Sequence, residues 1–150
     1  ANARCIVLIG SHIGENLHNG QVQTLTEAIN RDATLITVDP RFSVPAGKSK
    51  HWLPIKPGTD TALLLAWINV IIGEDLYDRE YIERYAYGFE QLQQHVGVFT
   101  PEWAYPRTGI DAEYPGHITL DGLENVVRNI GVGVHLLDII QVLQCIDHAQ

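Results

Sequence analysis

The sequence predicts a three-layer α/β domain: a short parallel sheet with flanking helices. Three observations carry that prediction. Residues 3–10 (ARCIVLIG) form a continuous apolar run ended by glycine, the pattern of a strand buried on both faces, and so read as a central parallel strand. Residues 33–39 (ATLITVD) form a second, β-branched run, stopped by Pro40. Between them, Val22, Leu25, Ala28 and Ile29 fall on one face at helical spacing, in a segment bounded by Gly20 and Asp32. Strand, helix and strand in that order make a βαβ unit, whose crossover is right-handed.

The remaining elements follow from punctuation. Residues 51–55 (HWLPI) are short and carry Pro54, which suits an edge or terminal strand. In the turn 57–60 (PGTD), Thr59 or Asp60 can cap a helix that runs to residue 72, with Ala62, Leu65, Ala66, Asn69 and Val70 on related faces and Gly73 at its end. Asp78 opens a helix to residue 86 with Tyr81, Ile82 and Tyr85 inward, and Phe89, Leu92 and Val96 continue a helical face after Gly88. From Thr100 onward, Pro101, Pro106, Gly109, Pro115 and Gly116 predict a linker or winding loop. Leu123, Val126, Val127 and Ile130 mark one more short helix, and the periodicity of residues 135–146 leaves helix and strand both open.

Bulk properties narrow the function. At 150 residues, 45% hydrophobic and 19% charged, the chain can bury one core and is too short for a multidomain enzyme. A formal net charge of -8 supplies no basic field for nucleic acid or for anionic lipid. An anionic cofactor stays compatible, because backbone N–H groups and helix N-termini hold phosphates without net positive charge. Cys5 and Cys145 stand at opposite ends in apolar surroundings and support neither a disulfide framework nor a metal cluster. No run approaches the roughly 20 apolar residues of a membrane span, so direct membrane insertion is not expected. The chain opens two residues before a strand, which points to a segment of a longer protein.

The chemistry is expected at the carboxyl ends of the strands, where ligands of open α/β sheets sit. The loop Gly10-Ser11-His12-Ile13-Gly14-Glu15-Asn16 lies between a strand and a helix, and Asp39 ends the next strand on the same edge. A carboxylate there accepts hydrogen bonds from sugar hydroxyls or from guanine N–H groups. A nicotinamide-binding Rossmann domain would place G-x-G-x-x-G in this loop, but the chain has Gly-Ser-His-Ile-Gly-Glu, with His12 in place of the second glycine. His12, Glu15 and His18 have metal-like spacing, yet Gly10, Gly14, Asn16, Asn19 and Gly20 argue for a ligand loop instead of a metal-bearing helix. A non-catalytic interaction module, associating through the apolar tail, is the remaining alternative.

A third stretch brings a resemblance into view. Val38-Asp39-Pro40-Arg41, then Ser43, Lys48 and Trp52, then residues 53–60 (LPIKPGTD) and Ala62-Leu63-Leu64-Leu65, follow in order. With Leu76-Tyr77-Asp78, Tyr87-Gly88-Phe89-Glu90, Thr100-Pro101-Glu102-Trp103 and Thr108-Gly109-Ile110, this resembles the molybdopterin oxidoreductases of the dimethyl sulfoxide reductase superfamily. GSHIGEN, VDPRFS and LPIKPGTD look most like the branch containing polysulfide and thiosulfate reductases.

The resemblance implies a Rossmann-like partial domain of a larger enzyme that binds molybdopterin guanine dinucleotide. Gly10, His12 and Glu15 stand at the family's dinucleotide loop, with His12 where asparagine is usual. Asp39 and Arg41 stand at the nucleotide-proximal DPR positions, and Lys56, Gly58 and Asp60 at the second nucleotide-binding turn. Singly, each has a structural reading: Asp60 a helix cap, Arg41 an ion pair, Gly58 a turn. Together, in family order, they imply cofactor contact. The implied molybdenum ligand and any iron–sulfur cluster belong to parts of the enzyme outside this chain, which alone is expected to be inactive. The implied partners are the remaining domains of the large subunit and an iron–sulfur electron-transfer subunit, on the periplasmic or cytoplasmic face of a membrane. Residues 1–110 are expected to be the dinucleotide-binding segment and residues 111–150 a divergent C-terminal extension, which reads equally as a native end, a truncation or a frameshift product.

Overall fold

The computed structural model describes residues 3–11, 13–15 and 19–110. The expected elements at 123–130 and 135–146, and His12, lie outside the described residues. Strand β1 is Cys5–Ile9, helix α1 Asn19–Ile29, β2 Thr34–Val38 and β3 His51–Leu53, with a 3-10 turn at Ala46–Lys48 before β3. Four helices follow: α2 Asp60–Gly73, α3 Arg79–Tyr85, α4 Phe89–Val96 and α5 Pro101–Thr108.

All three strands run parallel in the order β1-β2-β3, with Cys5 opposite Thr34, Ile9 opposite Val38 and Val38 opposite Leu53. The strand with a neighbour on both sides is therefore β2, and β1 lies at an edge of the described sheet, half-buried along its length. Among the described residues, then, β1 is not the central strand that was expected. An unbroken apolar run reports that both faces are covered and carries no information about which edges are paired.

Both faces are indeed covered. Cys5, Val7, Ile9, Ile36, Val38 and Leu53 project to one side, where they pack with Leu63, Leu64, Trp67 and Ile71 of α2. Ile6 and Leu8 project to the other side and, with Leu25 and Ala28 of α1, line a cleft of about 290 Å³. The alternation is the period-2 pleat of a strand, and it produces the three layers. Burial holds the Cys5 thiol above its ordinary pKa, as befits a core residue rather than a nucleophile.

Helix α2 is apolar nearly all round because it packs against the sheet, α4 and α5. Leu64, Trp67 and Ile71 face the sheet, while Ile68 and Ile72 meet Val96 of α4. Asp78 accepts from the Tyr81 N–H at 2.9 Å and caps α3 as expected. Ile82 is buried, but Tyr85 is 66% exposed and stacks on Tyr81, so the expectation that Tyr85 faces inward is corrected. A seven-residue helix has room for only a narrow inward stripe.

The loop expected after Thr100 is a helix, and its prolines and glycine sit where a helix accepts them. Pro101 occupies the first turn, where no N–H is needed, Thr100 caps by accepting from the Trp103 N–H at 3.3 Å, and Gly109 closes the end with φ 74°. Pro106 lies in the last turn and deletes one internal donor. Thr100→Ala is expected to lower stability by about 1 kcal/mol, measured by urea unfolding; no change would remove Thr100 as the cap that sets this helix. Among the described residues no helix is long and apolar enough to cross a membrane.

Candidate functional site

Because the three strands are parallel, their carboxyl ends share one edge, and three connections open there. The first leaves β1 at Gly10, whose N–H donates to the Val38 carbonyl at 3.0 Å and extends the ladder by one residue before the chain turns away at φ 57°. The second leaves β2 at Asp39. The third leaves β3 and leads through Lys56 and Gly58 into α2.

Asp39 is only 4% exposed, a large desolvation for a carboxylate unless it is held. It is held by its own turn. Its Oδ1 accepts from the Arg41 N–H at 2.8 Å and lies 3.9 Å from Arg41 Nε, while its backbone donates to the Leu53 carbonyl and accepts from Trp52 Nε1. The backbone contacts tie the position to β3, and the carboxylate contacts orient the side chain along the edge.

Glu15 joins the first connection to the second. Its Oε2 accepts from Arg41 Nη2 at 3.3 Å, and its Oε1 accepts from the Val44 N–H at 3.3 Å. The Arg41 side chain remains 58% exposed, so the ion pair with Glu15 is a modest, solvent-screened contribution to stability. Its greater effect is geometric: it ties the β1–α1 loop to the turn after β2. Beyond the turn, Phe42 packs edge-on against Trp52, with ring centroids 4.9 Å apart, yet is 69% exposed.

Lys56, Gly58 and Asp60 form a second group on the same edge. Thr59 is in the cap position of α2, but its hydroxyl donates to the Lys56 carbonyl at 2.7 Å and makes no cap bond, so the expected threonine cap is not formed. Asp60 is the first helical residue, half-buried, and contributes charge to the positive end of the helix. Lys56 turns its ammonium to the Pro106 carbonyl at 3.1 Å, and its N–H donates to the Thr108 carbonyl at 2.9 Å. Gly58 has φ 76°, and a side chain there would meet nothing within 4 Å. The same open space surrounds Gly10. Both glycines are thus required by backbone conformation, and both leave the adjoining backbone accessible.

The structure therefore brings Gly10, Glu15, Asp39 and Arg41 together and sets Lys56, Gly58 and Asp60 further along the same edge. It also shows the Val44 N–H anchoring Glu15, which no sequence signal announced, and at Ser43, named above only for its place in the family order, a buried hydroxyl without a hydrogen-bond partner. Only its proximity to the DPR run could have pointed to the Val44 N–H. His51 lies at the opposite edge, at the start of β3; partial burial, then the Lys50 charge, pulls its pKa below the ordinary value. Among the described residues no group of three or more His, Cys, Asp or Glu could hold a metal ion.

The donor set suits a phosphorylated nucleoside: a buried carboxylate for its N–H or O–H groups, a guanidinium beside it, and accessible backbone at two glycines. A family model described as Molybdopterin oxidoreductase matches residues 1–132. The thiosulfate reductase molybdopterin-containing subunit PhsA of Salmonella typhimurium is 39% identical over 119 residues, which are 79% of this chain and 16% of that subunit. The F420-dependent formate dehydrogenase subunit alpha of Methanocaldococcus jannaschii is 40% identical over 111 residues, 74% of this chain and 16% of that subunit. The solved structure of acetylene hydratase from Pelobacter acetylenicus superposes with a TM-score of 0.73 at 33% identity, covering 88% of this chain and 16% of that one. The chain thus spans about one sixth of the length of the relatives it matches. With a family match running over 132 of 150 residues, the chain belongs to the molybdopterin oxidoreductase family.

Proposed function

We propose that this chain holds the guanosine end of molybdopterin guanine dinucleotide within a reductase or dehydrogenase of sulfur compounds or related oxyanions. The observation that carries the reading is the buried Asp39 carboxylate at the sheet edge, fixed through Oδ1 by Arg41. That leaves Oδ2 to accept from the nucleoside, and a carboxylate positioned in advance recognises hydroxyl or N–H donors without paying for reorganisation. Asp60, on the neighbouring turn, is the second acceptor for guanine N1 and N2 donors. Gly10 and Gly58 admit the ligand to the backbone, and His12 adds a hydrogen-bonding side chain on the first loop.

Arg41 counters the negative charge of the phosphates, and Lys56 contributes its charge from the third connection while bridging to α5. Glu15 keeps Arg41 and the Val44 N–H in register. The molybdenum group, when bound, supplies the redox chemistry; this chain supplies position and electrostatics. Residues 1–110 are the holding segment in this reading and residues 111–150 an extension of it. The remaining domains of a large subunit and an iron–sulfur subunit are the partners. The names of the relatives range over thiosulfate reductase, formate dehydrogenase and acetylene hydratase, which supports a role in the part such enzymes share, the grip on the cofactor. The sulfur branch rests on the loops GSHIGEN, VDPRFS and LPIKPGTD.

Calorimetric titration of the chain with guanosine diphosphate, with adenosine diphosphate as control, tests the reading. Guanine-selective binding, at least tenfold or about 1.4 kcal/mol, is expected. Equal affinity for both nucleotides, or no binding to a chain shown by circular dichroism to be folded, would overturn it.

A further inference from the structure

Lys56 joins helix α5 to the second turn of the candidate site. A helix leaves its last carbonyls without partners of its own. At the end of α5, Lys56 takes two of them: its backbone N–H donates to the Thr108 carbonyl at 2.9 Å, and its ammonium to the Pro106 carbonyl at 3.1 Å. The ammonium thereby sits at the negative end of the helix dipole. The lysine stem lies along Gly109, where a Cβ would come within 3.1 Å of Lys56 Cε and 3.5 Å of its Cγ. Glycine is needed there for that approach as well as for its φ of 74°.

The carbonyl of Lys56 points into the turn. It accepts from both the hydroxyl and the N–H of Thr59, at 2.7 and 3.3 Å. Thr59 stands between Gly58, whose positive φ bends the chain, and Asp60, which opens α2. The end of α5 is itself anchored: Thr108 is buried, its hydroxyl accepts from the Ile110 N–H at 3.2 Å, and Ile110 belongs to the core. A continuous chain of contacts therefore runs from the core through Thr108, Lys56 and Thr59 to the residue before Asp60's helix begins.

We propose that Lys56 is a positioning residue: gripped by the end of α5, it fixes the turn that carries Gly58 and Asp60, and so sets the affinity for the nucleoside in addition to the charge it offers the phosphates. The proposal rests on the nucleotide-holding reading above. A carboxylate recognises N–H donors only within hydrogen-bond distance and angle, so a loosened turn loses affinity even when Asp60 is intact.

The test titrates the intact chain with guanosine and with guanosine diphosphate, comparing K56M, G109A and T100A at a temperature where circular dichroism shows all of them folded. K56M should weaken guanosine binding about fivefold, and guanosine diphosphate binding at least as much. G109A keeps the lysine and its charge but drives a methyl group into its stem, and should weaken both probes by about the same fivefold. T100A loosens the opposite end of α5 and should leave both affinities unchanged. A phosphate contact without positioning would show in K56M as a loss for guanosine diphosphate alone, and a purely structural lysine would lower the thermal midpoint without changing either affinity; each overturns the proposal. So does a T100A loss equal to that of K56M, which would trace the effect to overall stability. A wild-type chain that binds neither probe overturns the nucleotide reading and this one with it, whereas wild-type binding left unchanged by K56M or by G109A overturns the positioning role alone.

Discussion

Asp39→Ala should abolish measurable guanine-nucleotide selectivity and lower the stability of the chain by about 1–3 kcal/mol, because the Arg41 N–H loses its 2.8 Å acceptor inside a buried turn. Asp39→Asn separates the two effects. Its amide oxygen can still accept from the Arg41 N–H, so unfolding in urea should shift by less than about 1 kcal/mol. The negative charge that draws a ligand's N–H and O–H donors is gone, so titration should show a loss of at least about tenfold in affinity for guanosine diphosphate. If Asp39→Asn binds as tightly as the parent, Asp39 only braces the turn and the ligand is recognised elsewhere.

The second large effect belongs to the core. Trp67 is 3% exposed at the centre of α2, packed between the sheet and the later helices. Trp67→Ala should cost about 3–5 kcal/mol, through lost burial and the cavity left behind. Trp67→Phe keeps most of the ring and removes an indole N–H that has no partner, so it should cost less than about 1.5 kcal/mol. Urea unfolding followed by circular dichroism compares them. Equal losses for the two would mean that the indole itself, rather than the volume it fills, decides stability here.

How far the sequence foretold this structure depends on whether local pattern or tertiary context decides each element. The runs ending at Gly10 and Asp39 gave their strands because apolar periodicity is local. Asp78 gave its helix cap for the same reason. The position of β1 at the edge of the sheet formed by the described residues was not legible, since pairing depends on other strands. At α5, Pro101, Pro106 and Gly109 read as breakers when counted and as helix ends when placed, so position within the turn outweighed composition. Thr59 failed as a cap because its hydroxyl found the Lys56 carbonyl first.

The candidate site divides along the same line. Asp39 and Arg41 were legible because the DPR run sits at a strand end, and the sheet places it as the strand order requires. The bridge from Glu15 to Val44 spans 29 residues, and no spacing rule anticipates it. Ser43 was legible only as a member of the VDPRFS run, and its burial was not, because that depends on the folded turn.

The tie between Lys56 and α5 also determines when the second turn can open. The Lys56 N–H is bonded to the Thr108 carbonyl, and the Lys56 side chain spans to Pro106 and lies against Gly109. That amide is expected to exchange its hydrogen with solvent when α5 separates from the β3–α2 connection, although the two are far apart in the chain. Its deuterium uptake is therefore expected to report the undocking of a helix remote in sequence, coupling the turn that bears Gly58 and Asp60 to α5 as well as to the sheet whose edge it borders.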